Sequence, residues 1–150
     1  MTGASRHYPL VPMRERMQWQ LETAQQALAQ AQRNCREART ALDALKSQQR
    51  DALRASDAGP DPVMSGVRLA FLARLHLQLD TAALELQAAE RDQEACLASC
   101  AQLQSRSDEL DSHFLKWTRA RIAAQLHRQG VEADQAWLAR RAWLGMEVGA

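Results

Sequence analysis

Cys96 and Cys100 stand one helical turn apart, a spacing at which two thiols can share a metal ion or exchange a disulfide. A metal site needs further donors. The third cysteine, Cys35, and the four histidines, His7, His76, His113 and His127, add none at a recognised ligand spacing. Asp108, Glu109 and Asp111 gather carboxylates, but among polar neighbours, as on a solvated helix face. The six glycines are isolated, so no phosphate-cradling loop is present, and neither an HExxH helix nor a nucleophile elbow occurs. The expectation is a chain with no catalytic residue, metal site or cofactor, acting other than as an enzyme.

The remaining conspicuous side chains suit recognition. Trp117, Trp137 and Trp143 share the last third of the chain with Arg119, Arg121, Arg128, Arg140 and Arg141. Trp and Arg are over-represented in interfaces, because they combine large apolar area with a polar handle. Three fates are open to this segment: a protein interface, centred on Trp137, Arg140, Arg141 and Trp143; folding back onto the chain near Trp19; or lying on an anionic membrane as a basic amphipathic helix. Phe71 is the other candidate. With Leu75 and Leu79 it forms an i, i+4, i+8 stripe, which either packs inward or anchors a partner.

The elements that position these residues follow from composition. Of 150 residues, 46% are hydrophobic but only 5% aromatic, and Ala, Leu, Gln, Arg and Glu dominate. These are strong helix formers, and a sheet protein would need more aromatic and β-branched residues. The chain is expected to be all-α. A net charge of +1 gives no sign of a nucleic-acid partner. No stretch approaches the ~18 apolar residues of a membrane span, and residues 1–16 lack the apolar core of a signal peptide. The protein is therefore expected in the cytoplasm, with its cysteines as thiols.

Two heptad seams organise the chain. One runs Met17, Leu21, Ala24, Leu28, Ala31, Cys35, Ala38, Leu42, Leu45, Gln49 and Ala52. The other runs Leu72, Leu75, Leu79, Ala82, Leu86, Ala89, Gln93, Cys96, Cys100, Leu103, Ser107, Leu110, Phe114 and Trp117. Alternating steps of four and three residues mark a coiled-coil seam. Between them, Gly59, Pro60 and Pro62 break the helix, with Asp61 placed as an N-cap and Pro62 at the first helical position. So short a break predicts a long antiparallel two-helix coiled-coil hairpin. Charge agrees: residues 1–60 carry nine basic and six acidic groups, residues 61–112 four and nine, and residues 113–150 six and three.

Folding about Gly59 sets Cys35 opposite residues near 83 and leaves the chain beyond about residue 108 as a C-terminal helical overhang. Gly130 reads as a C-cap. The expected organisation is a flexible N-terminus over 1–12, the hairpin over 13–130 with its turn at 56–62, and a short amphipathic helix or tail over 131–150.

A hairpin with a long second helix resembles the FliJ/YscO family, the stalk proteins of flagellar and type III secretion export ATPases. The resemblance covers about residues 17–115. It is carried by Leu42-Asp43-Ala44-Leu45-Lys46-Ser47-Gln48-Gln49 near the end of the first helix and by Phe71-Leu72-Ala73-Arg74-Leu75 after the turn. The tyrosines common at the end of the first helix in flagellar members are missing, which favours an injectisome-type member. The resemblance implies a non-enzymatic coupling protein, peripheral to the inner membrane through the secretion apparatus. Its terminal end would meet the hexameric export ATPase, near Met17, Trp19, Leu110 and Trp117. Phe71 and Leu75 would meet the export-gate membrane protein. Secretion chaperones are further partners that the resemblance implies. A generic coiled-coil scaffold or adaptor, homodimeric through the overhang, is the alternative.

Overall fold

The computed structural model of the protein describes residues 8–56 and 62–149. Two helices account for nearly all of them: α1, Val11–Ser56, and α2, Pro62–Val148. No strand occurs among the described residues. The two helices pack against each other as an all-α helical hairpin.

Helix α1 starts where the Val11 amide donates to the Tyr8 carbonyl at 3.3 Å and the Arg14 amide to the Leu10 carbonyl at 2.9 Å. Pro12 lies in the first turn, where its missing N–H costs nothing. Pro62 occupies the first position of α2, as its fixed φ predicts. Asp61 and the turn lie outside the described residues. Threonines within the helices turn their hydroxyls to the preceding turn, as Thr23 does to the Trp19 carbonyl and Thr81 to that of Leu77.

The chain forms two compact units. Arg16–Ser105 is the larger. Here α1 and α2 run antiparallel: Leu42, Lys46 and Gln49 share a groove with His76, Leu79, Asp80 and Ala83, whereas Cys35 and Arg39 share one with Gln93. Ala31, Cys35, Leu42, Leu75 and Ala82 are its buried core, and Leu75 is the most enclosed side chain, 1% exposed. Arg39 reaches Glu90 at 3.5 Å across the pair, between two well-exposed side chains. Such a contact guides register more than it stabilises.

The second unit comprises Met1–Glu15 and Arg106–Ala150. Tyr8 is its buried residue, 4% exposed, packed against α2 at Phe114 and Trp117. Arg14 pairs with Asp111 at 3.1 Å and lays its guanidinium 4.5 Å from the Phe114 ring centre. From Ile122 to Glu147 every residue is exposed.

All eleven seam positions of α1 and all fourteen of α2 are buried or half-buried, so the heptad phase read from the sequence is the one that packs. Three other expectations are corrected. Cys35 shares a groove with Gln93 rather than with residues near 83, so the register differs from the expected one. Gly130 is no C-cap, because α2 runs through it to Val148 as one helix; residues 131–148 are not a separate segment. Tyr8 belongs to the packed structure, so the N-terminal stretch is ordered from there on.

Candidate functional site

The described residues offer no group of three or more His, Cys, Asp or Glu able to hold a metal ion. Cys96 and Cys100 are half-buried on the seam and Cys35 is buried; all three are free thiols. Among the described residues no buried side-chain N or O atom lacks a hydrogen-bond partner. The features that could do work are surfaces, and three of them contain the residues singled out by sequence.

The first lies near the start of α2. Phe71 and Leu75 are one turn apart but differ in environment: Phe71 is 49% exposed, whereas Leu75 is 1% exposed. Leu75 therefore serves the core. A partner reaches it only if the helices separate, so the paired contact that the family resemblance implied reduces, on the closed hairpin, to Phe71. Its surface neighbours are Met64 and Val67, both exposed. Met64, Val67 and Phe71 stand at i, i+3 and i+7, which makes them one strip on a helix face. Sequence reading overlooked the first two because they precede the seam. Their spacing was the available signal.

The second is aromatic. Phe114 and Trp117 stack with centroids 6.4 Å apart, and Tyr8 meets Phe114 edge-on at 5.1 Å and Trp117 at 5.2 Å. The Tyr8 hydroxyl is hydrogen-bonded to His113 Nδ1 at 2.5 Å. Arg121 stands 5.2 Å over the Trp117 ring. An aromatic quadrupole attracts a guanidinium held over its face, so Arg14 and Arg121 close the cluster on two sides. Trp117 and Leu110, named from sequence for an ATPase-facing end, are thus half-buried and partly engaged by the chain itself. Of the other two, Met17 is half-buried and Trp19 is 66% exposed.

The third is the C-terminal stretch of α2. Trp137, Arg140, Arg141 and Trp143 are all exposed, and Arg141 lies 5.1 Å over the Trp137 ring. Val131, Leu138, Leu144 and Met146 add exposed apolar area to the same stretch. Lys116, Arg119, Arg121 and Arg128 make residues 112–131 wholly basic, with no acidic residue among them. No helix among the described residues is long and apolar enough to cross a membrane. The chain matches no family model, no curated protein and no solved structure.

Proposed function

We propose that the chain is a non-enzymatic stalk or coupling protein of a type III secretion-like export apparatus, engaging a hexameric export ATPase and an export-gate membrane protein. One observation carries this reading. Helix α2 is covered along its seam as far as Arg121 and then continues bare to Glu147, with two tryptophans and three arginines in the bare stretch. A helix that exposes this much apolar surface is shaped to enter a partner. The family resemblance of residues 17–115 supplies the identity of that partner.

Coupling by such a helix is mechanical. It biases an ATPase only by binding some subunit states better than others. The varied faces of residues 122–147 suit unequal contacts with the subunits of a ring. Nucleotide would be held by the ATPase. Secretion chaperones remain candidate partners for the exposed strip of Met64, Val67 and Phe71 or for the bare stretch.

The test is hydrolysis by the cognate export ATPase with and without this protein. Stimulation by the native chain, reduced by Trp143→Ala with Leu138→Ala, supports the coupling role. No stimulation of a demonstrably hexameric ATPase overturns it. A coiled-coil scaffold or adaptor is the second reading, favoured by Ile122, Leu126, Val131, Leu138 and Leu144, all exposed along the bare stretch of α2.

A further inference from the structure

The bare stretch of α2 carries two apolar faces. One continues the seam through Ala124, Val131, Leu138 and Ala142. At about 100° per residue the other lies roughly 140° away around the helix. It consists of Leu115, Ile122, Leu126, Ala133, Trp137 and Leu144, all exposed. Successive members are separated by seven, four, seven, four and seven residues, so the spacing reads the same in both directions.

We propose that this second stripe is a homodimer interface, pairing with the same stripe of a second copy, antiparallel, about a twofold axis between Gln129 and Gly130. A twofold interface requires that whenever residue i meets j of the other copy, j meets i. The symmetric spacing meets that condition at every position. Leu115 faces Leu144, Ile122 faces Trp137 and Leu126 faces Ala133 in the second copy. The bulkiest member thus lies away from the axis. Gly130 stands beside the axis with nothing near its Cα on the side where a Cβ would point, which leaves room for close approach. Five half-exposed large side chains from each copy bury roughly 1,000 Å² in total, the lower bound for a specific interface.

Charge fixes a second property. In this register Arg119 faces Arg140 of the other copy, and no acidic residue lies between Asp111 and Glu132 to offset the repulsion. Added salt screens like charges. The dimer therefore tightens as ionic strength rises, whereas attachment of a basic stretch to an anionic partner or membrane loosens. The pairing is independent of the coupling role: a chain inert toward every ATPase would still dimerise, and a monomeric one could still couple.

Sedimentation of the native full-length chain over a wide dilution series tests the pairing. The expected result is a species of twice 16.8 kDa that dissociates on dilution and persists further in higher salt. Leu126→Glu is expected to shift it to monomer with helicity unchanged, since Leu126 touches solvent in the single chain. In a background of Cys35→Ala, Cys96→Ala and Cys100→Ala, Gly130→Cys is expected to form a disulfide-linked dimer, and Leu144→Cys none. A monomer at all concentrations, a dimer indifferent to Leu126→Glu, weakening by salt, or linkage at 144 but not at 130 each overturns the proposal.

Discussion

The hydroxyl of Tyr8 is hydrogen-bonded to Nδ1 of His113 at 2.5 Å, joining residues 105 positions apart. With the ring contacts to Phe114 and Trp117, this bond anchors the N-terminal end of the chain on α2. Two substitutions separate the contributions. Tyr8→Phe keeps the ring and is expected to cost about 1 kcal/mol, the net worth of one hydrogen bond. Tyr8→Ala also removes the packed ring and is expected to cost about 3 kcal/mol, the lower end for large aromatics, because solvent reaches the rim of the cluster. Urea titration followed by tryptophan emission reads both. Equal losses from the two variants would show that the ring contributes nothing.

Leu75 and Leu86 occupy the same seam but differ in enclosure: Leu75 is fully buried and Leu86 half-buried. Truncating a buried leucine loses transfer free energy and leaves a cavity, together about 2–5 kcal/mol. Leu75→Ala is expected within that range and Leu86→Ala below it, because water refills the space beside a half-buried side chain. Chemical denaturation of the two variants checks the order. The reverse order would place the tightest part of the hairpin elsewhere.

These two leucines also show what the sequence made legible. Heptad phase is a local property, written in the four-and-three spacing around each residue, and every seam position from Met17 to Trp117 packs as that spacing requires. Register is not local. The four-and-three spacing does not say how far one helix is slid along the other, so it leaves open whether Cys35 lies near residue 83 or near Gln93. The structure resolves it through contacts distant in sequence, such as Arg39 with Glu90 and Tyr8 with His113. Tyr8 escaped notice for the same reason. It lies between polar residues and a proline, with no periodicity, and its partners are a hundred residues on. The contrast between Phe71 and Leu75 was hidden because residues one turn apart share a stripe, whereas burial depends on where the opposing helix lies.

Gly130 was misread for a different reason. Glycine is the commonest residue just past a helix end, yet here α2 continues through it for eighteen further residues. Nothing lies within 4 Å of the position a Cβ would take, and the backbone shows no positive φ. In the single chain Gly130→Ala therefore adds no clash and removes the entropic cost of a mid-helix glycine. The expected gain is up to about 1 kcal/mol, confined to the bare stretch of α2. Slower amide exchange around residues 126–134, read by mass spectrometry, is the measure. Faster exchange would mean that the glycine serves a bend the helix needs.

Phe71 gives the sharpest functional prediction. It is half exposed, next to Met64 and Val67, and its loss leaves the Leu75 core in place. Phe71→Ala is therefore expected to change stability by no more than about 1 kcal/mol, as for surface substitutions away from buried features. If the coupling reading holds, the same variant secretes poorly in cells while stimulating the export ATPase as the native chain does. The exposed strip and the bare C-terminal stretch would then serve different partners. Leu75→Ala cannot make this distinction, because it destabilises the hairpin and would depress both activities. Loss of secretion and stimulation together in a stable Phe71→Ala protein would show that one partner reads the whole chain, and the division of labour would fail.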